Sequence, residues 1–380
     1  MKNKGVFLAA ILTAVLCISG NVFAVLSGGG TEANPYLIQS RTDFDEFANP
    51  ANSTIYWASG VYTKLMCDPN LSGTTYTQAV IAPDTNTSSG FQGTQFTGVF
   101  DGNSHTISNL TITASTQDYI GLFGYVGSSG QISNLGVKNV NITGREYVGG
   151  LVGYSNSGTL IACYATGSVS GTDTVGGLVG LYAYGTLTSC YATGLVSGGY
   201  RVGGLVGYRS SGEITSCYAT GSVSGTDWYV GGLVGANSGT LTSCYATGSV
   251  SGTNDYVGGL AGYNNSGTLI ACYATGSVTG TGTYIGGLVG RNISGTSTSC
   301  FWDKETSGQP TSDGGTGKTT AEMKTLSTFT GAGWDFASVW AMPLGQYPVL
   351  FLRQMGDLNS DARVDMQDFA ILAANWLEGI

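Results

Sequence analysis

The chain has 380 residues, of which 62 are glycine and only 10% are charged, and its formal net charge is −9. An acidic, lysine-poor chain excludes binding to nucleic acid by a basic surface. So much glycine excludes a helical bundle, and so little charge excludes a charge-rich disordered segment.

Residues 1–24 read as a secretory leader: Lys2 and Lys4, an apolar run from Val6 to Ile18, then Val22-Phe23-Ala24 as a small-residue cleavage site. Removing them takes away two cations and no acid, which leaves −11. Val15 and Leu16 stand where a lipid-attachment site wants a small residue, so Cys17 reads as part of the discarded leader. No later stretch reaches the roughly 18 apolar residues of a membrane span. A secreted or cell-surface chain with no span in its mature part is expected.

Residues 25–113 read as an N-terminal cap and the first irregular coils. A strand is expected at 34–38, and Thr42-Asp-Phe-Asp45 as a capping box opening a short helix with Phe44 and Phe47 on one side. The single histidine, His105, lies in segment 96–110 and is either a catalytic base or, more simply, a turn residue.

Residues 114–302 are built on a repeat. The string from Val148, VGGLVG, returns unchanged at Val175, Val202 and Val230 and with a single change at Val257 and Ile285, at spacings of 27, 27, 28, 27 and 28 residues. A degenerate copy, Gly121-Leu-Phe-Gly124, precedes them, and SCYATG or ACYATG follows each of the first five about a dozen residues on. One unit copied many times is the architecture.

Gly, Ser, Thr, Val and Tyr in short apolar patches disfavour helix. In the unit 230–256 the patches 230–234, 240–246 and 249–251 predict three strands separated by turns. The fold class is therefore all-β, a parallel β-helix or β-solenoid of about 27-residue coils with N- and C-terminal caps. Coils stacked at roughly 4.8 Å place each side chain over its counterpart. Two such columns are Leu160, Leu187, Ile214, Leu241, Leu269 and Cys163, Cys190, Cys217, Cys244, Cys272, Cys300. Leu241 and Cys244 both point inward only if Thr242-Ser243 is a bend, which puts Ala246 inside and Tyr245 outside.

The cysteine column reads as free thiols filling the core or as disulfides between neighbouring coils, a reading that export favours. Same-phase side chains lie parallel rather than facing, and a straight row does not suit tetrahedral zinc. The next column, Tyr164, Tyr191, Tyr218, Tyr245, Tyr273 and Phe301, is either a ligand-binding aromatic strip for sugar rings or a self-stacked stabilising ladder. A third, Tyr147, Tyr229, Tyr256 and Tyr284, interrupted by Thr174 and Arg201, reads as turn packing. Asp227 and Asp255, on successive coils, are the acid pair closest to a glycosidase arrangement, and solvated turn acids describe them better.

These units resemble the GLUG repeat, named for its Gly-Leu-any-Gly core, here Gly150-Leu-Val-Gly153 and its copies. The resemblance covers about residues 119–302. It implies a β-helix-like solenoid of the kind found in bacterial surface adhesins and some secreted proteases, and no single activity. One histidine cannot furnish the two of a zinc-protease motif, so the protease association does not carry over.

Residues 303–353 read as the far cap and closing coil: a polar loop at 307–320, a second capping box at Thr319-Thr-Ala-Glu322, then Trp334, Trp340 and the segment 347–352. Gly317-Lys-Thr319 lacks the leading glycine and strand of a phosphate-binding loop.

Residues 354–380 change chemistry. Asp357, Asn359, Asp361, Asp365 and Asp368, with the carbonyl of Arg363, have the EF-hand calcium spacing, with Ala362 where glycine is usual and Asp368 in place of glutamate. A helix over 366–377 would gather Phe369, Leu372, Ala373 and Trp376 on one face. This segment resembles one dockerin repeat. That implies bound Ca²⁺ and a protein partner, as a retention tag or half of an interface, because a dockerin has two such halves. The plain alternative is an acidic loop without metal.

The functional expectation is a secreted or surface-associated, non-catalytic repeat protein for adhesion or carbohydrate binding, its partner a polysaccharide or cell-surface glycan. A calcium-binding C-terminal module would serve retention or docking. The alternatives are a polysaccharide lyase or glycoside hydrolase on a β-helix, and a structural component of the cell envelope.

Overall fold

The computed structural model describes residues 26–86 and 90–351. The leader at 1–24 and the calcium-loop module at 354–380 lie outside the described residues. What is described is an all-β parallel solenoid of about ten coils: the longest single-file sheet stacks ten strands from Tyr36–Ile38 to Thr296–Thr298. Parallel ladders of six, seven and fifteen strands complete its walls.

Stacking is in register. Leu160 pairs with Leu187, Leu187 with Ile214, Ile214 with Leu241 and Leu241 with Leu269, and all five are fully buried. A buried coil has no water for its amides, so each N–H and C=O must find the coil above or below. Like therefore sits on like.

The unit at 230–256 holds five short strands rather than three: Val230–Gly231, Val234–Asn237, Thr240–Thr242, Tyr245–Ala246 and Val250–Gly252. Two bends explain the difference. The expected one at Thr242-Ser243 is present, with Ser243 in the left-handed region at φ 52°, and Ala162, Ser189, Ser216, Ala271 and Ser299 match it at 50–54°. Small residues occupy that column, where a Cβ in the left-handed region is costly.

The other bend is the Gly-Gly-Leu corner, which splits the first patch. A Cβ on Gly232 would lie 2.0 Å from the Gly259 carbonyl oxygen of the next coil. Glycine is required there by close approach of one backbone to another. Val230, Leu233 and Val234 are each fully buried on the inner side of this corner.

The ends are closed differently. Arg41–Ala48 forms the N-terminal helix, burying Phe44 and Phe47, but its N-cap is Ser40 rather than Thr42, with the Ser40 side chain accepting from the Asp43 N–H. At the far end Thr316–Lys318 adds one more parallel rung on Phe301–Asp303. The Thr319/Glu322 capping box forms as expected. The expected closing coil is instead an antiparallel pair, Trp340–Ala341 with Val349–Leu350.

Asp303, fully buried, ties this cap to the last coil. It accepts hydrogen bonds from Glu305 N (2.9 Å), Thr306 N (3.1 Å), Thr320 Oγ1 (2.8 Å) and the Tyr347 hydroxyl (2.7 Å).

Gly232→Ala is expected to lower unfolding free energy by about 2–3 kcal/mol, because the clash is with backbone that cannot rotate away. Urea unfolding followed by circular dichroism measures it.

Candidate functional site

The two inward and outward columns after the bend have different fates. All six ladder cysteines are buried free thiols, and the S–H groups of Cys190, Cys217, Cys244 and Cys272 donate to carbonyls at 3.2 Å. Complete burial pushes the thiols of Cys163, Cys217 and Cys272 up. They fill space.

Outside, Tyr164, Tyr191, Tyr218, Tyr245 and Tyr273 stack with ring centroids 4.7–5.0 Å apart and planes within 9° of parallel. The ring faces are turned to one another. The C-terminal cap then covers Tyr245, Tyr273 and Phe301 with Phe329, Trp334, Trp340 and Leu350, and the Tyr273 hydroxyl donates to the Pro348 carbonyl at 2.5 Å. Tyr164 is buried as well. Of the strip expected to face sugars, Tyr191 and Tyr218 alone remain half-exposed.

A second aromatic surface lies on the Gly-Gly-Leu corner. Tyr119, Tyr147, Thr174, Arg201, Tyr229 and Tyr256 occupy one column in the left-handed region, with φ of 51–66°. Beside it runs another: Tyr125, Tyr154, Leu181, Tyr208, Ala236, Tyr263 and Arg291, in parallel register. The columns interlock. Tyr147 meets Tyr154 at 5.5 Å, Tyr256 meets Tyr263 at 5.7 Å, Arg201 lies over Tyr208 at 4.8 Å, and Arg291 lies over Tyr284 at 4.6 Å. The result is a two-wide ribbon of phenols and guanidiniums along the solenoid, interrupted at the buried Thr174/Leu181 rung and, in one column, at Ala236.

Trp228 stands at its middle. Gly198 pairs with Gly225 at a spacing of 27, whereas Val202 pairs with Val230 at 28, so this turn carries one extra residue. Trp228, on that turn, is 41% exposed. Tyr256 and Tyr284 are coplanar within 3°, but the indole crosses Tyr229 at 74° and Tyr256 at 81°. It also meets Tyr200 at 6.3 Å, tilted by 44°.

Two phenols at the N-terminal end of the ribbon are pushed up. Burial, then the Asp118 and Asp84 carboxylates, push Tyr119 up to about 12, and burial with Glu146 pushes Tyr147 up further. Both remain hydroxyl donors at any physiological pH.

The turn acids act as latches: Asp227 Oδ1 accepts from Asn254 Nδ2 at 3.4 Å, and Asp255 Oδ1 from the Thr283 N–H. His105 Nδ1 sits 3.3 Å from Asp68 Oδ1, which also accepts the Thr106 N–H at 2.7 Å. Those bonds draw the Asp68 carboxyl below its ordinary value, against the effect of burial. Among the described residues no three His, Cys, Asp or Glu side chains are grouped to hold a metal ion, and no helix is long and apolar enough to cross a membrane.

The sequence reading missed Trp228 and the second column, although the pairs seven apart, Tyr147/Tyr154, Arg201/Tyr208, Tyr256/Tyr263 and Tyr284/Arg291, frame four of the six repeat strings. That spacing was the available signal.

Comparison with known proteins bears on the repeats. The family model described as the GLUG motif matches residues 144–170, 198–224, 226–251 and 253–279. The chain carries four copies of the GLUG motif. Over 155 residues it is 38% identical to halomucin of Haloquadratum walsbyi, which is 39% of this chain and 2% of halomucin. Over 149 residues it is 32% identical to an Evansella cellulosilytica protein provisionally named a Gly-rich membrane protein, which is 36% of this chain and 16% of that one. A crystal structure from Bacteroides ovatus, provisionally named an immunoglobulin A1 protease, matches with a TM-score of 0.60 at 25% identity, covering 86% of this chain and 94% of that one. The GLUG coils thus build a β-helix shared with that chain.

Among the cysteines from residue 26 onward, Cys67 is the half-buried one. Burial, then the charges of Asp68 and Asp43, hold its thiol above the ordinary value of 9.0. Iodoacetamide is expected to label Cys67 alone in the native protein, at a rate still rising above pH 9, and to reach the other six after unfolding; peptide mass mapping reads this out.

Proposed function

We propose that this is an extracellular, surface-displayed GLUG-repeat solenoid that adheres by binding carbohydrate, and that the corner ribbon rather than the cap-covered tyrosine ladder is the binding surface. The observation that carries the reading is Trp228: an exposed indole set across a row of stacked phenols, with hydroxyl groups and guanidiniums on either side. Sugar recognition needs such a pairing of an apolar face with nearby polar groups. The leader-like start and the membrane-protein name of one relative support display outside the cell.

The module at 354–380 extends the proposal. Asp357, Asn359, Asp361, Asp365, Asp368 and the Arg363 carbonyl would hold Ca²⁺, and the following helix would meet a protein partner that retains the chain at the surface.

A degradative reading draws on the protease name of the Bacteroides ovatus neighbour and on acids near the ribbon. It has less support here, because Asp227, Asp255 and Asp68 are each engaged in turn or strand contacts.

On a glycan array, the chain is expected to bind a subset of sugars, and Trp228→Ala/Tyr256→Ala to lose that binding while keeping its circular dichroism spectrum. Tyr191→Ala/Tyr218→Ala should retain it; the opposite pattern returns the site to the ladder. Separately, calorimetric titration with Ca²⁺ should show one binding event that Asp361→Ala removes, and no heat in the unsubstituted chain would reject the calcium module.

A further inference from the structure

We infer that the ribbon selects an uncharged, extended glycan laid along the solenoid axis, and rejects polyanionic ones; this rests on the carbohydrate-binding reading above. The charge pattern carries it. Each guanidinium on or beside the ribbon is already matched by a carboxylate: Arg145 by Asp118 in a two-pronged contact at 2.7 and 2.5 Å, Arg201 by Asp173 at 3.8 Å, and Arg291 by Asp313 at 3.4 Å.

Arg201 is sandwiched between Tyr200 at 4.5 Å and Tyr208 at 4.8 Å. A uronate or sulfate group would have to displace a ring and a carboxylate to reach Arg201, and a carboxylate to reach Arg145 or Arg291. Beyond the matched pairs, Glu146, Asp227 and Asp255 leave an excess of negative charge at the same turns, on a chain of net charge −9. Polyanions are repelled at the surface and from a distance.

What remains attractive is neutral. The indole of Trp228 offers an apolar face, and the phenol hydroxyls repeat once per coil, with Tyr229, Tyr256 and Tyr284 at centroid spacings of 5.1 Å. An extended β-linked pyranose chain advances by a similar length per sugar, so its rise matches the coil spacing. A branched or compact glycan would meet one coil only.

The test is affinity electrophoresis of the full chain in native gels containing hydroxyethylcellulose or mixed-linkage β-glucan, against gels containing polygalacturonate. Retardation by the neutral polymers alone is expected, weakened roughly tenfold by Trp228→Ala. Asp227→Asn/Asp255→Asn should leave neutral binding intact and begin to admit polygalacturonate. Retardation by polygalacturonate that Trp228→Ala abolishes would overturn the charge inference while leaving carbohydrate binding by the ribbon standing. Neutral binding indifferent to Trp228→Ala would overturn the assignment of the ribbon, and no retardation by either polymer class would overturn the carbohydrate reading with it.

Discussion

Hydrogen bonding of each coil to the next, in parallel register, is the constraint from which the rest of this molecule follows. No coil has a core of its own, and no coil can satisfy its own backbone. Once register is kept, every side chain is placed on its own counterpart, and the chemistry of a column is decided by whether that residue tolerates itself as a neighbour. Leucine and cysteine do so inside, where they are apolar and small. Asparagine does so by bonding to itself: Asn237 donates to Asn264 at 2.8 Å, and Asn264 to Asn292 at 2.9 Å, each also holding a turn carbonyl.

The same column shows what the constraint tolerates poorly. One coil below Asn237 stands Arg209, fully buried, its guanidinium 5.4 Å from the Tyr182 ring and its side chain lodged beside Gly212 and Gly239, where any Cβ would collide with it. Burial pulls that guanidinium down to about 10, so it still carries its charge at neutral pH. A buried cation is costly in a low-dielectric lumen, and the uniform ladders on either side of it supply the stability against which that cost is set.

Two aromatic surfaces follow from one repeat, and the caps decide between them. An open coil end would recruit strands from other chains, so the C-terminal segment folds back and closes it with Phe329, Trp334 and Trp340, using the nearest tyrosines as its floor. The ladder thereby becomes part of the cap. The corner ribbon lies on another face, where most of its rings are half-buried, and gains the exposed Trp228 where a single inserted residue lengthens the turn. The two aromatic surfaces are thus separated onto different faces of the same coils.

Much of this was legible in the residues. A period of 27 or 28, glycine at every corner, and Leu and Cys three apart specify parallel coils with a bend between, because only one phase buries both columns. What depended on the tertiary structure was anything joining positions that no period relates. The cover over Tyr273 comes from Pro348 and its neighbours, 75 residues away. The hub at Asp303 gathers Thr320 and Tyr347 from a non-repeating segment. The extra residue beside Trp228 shows in the 28-residue spacing from Val202 to Val230, but the exposure of its indole depends on how the turn packs. Repetition writes the local rung and its stacking into the sequence, since each is a nearest-neighbour matter; which face stays open is set by long-range packing at the ends, and that required the folded chain.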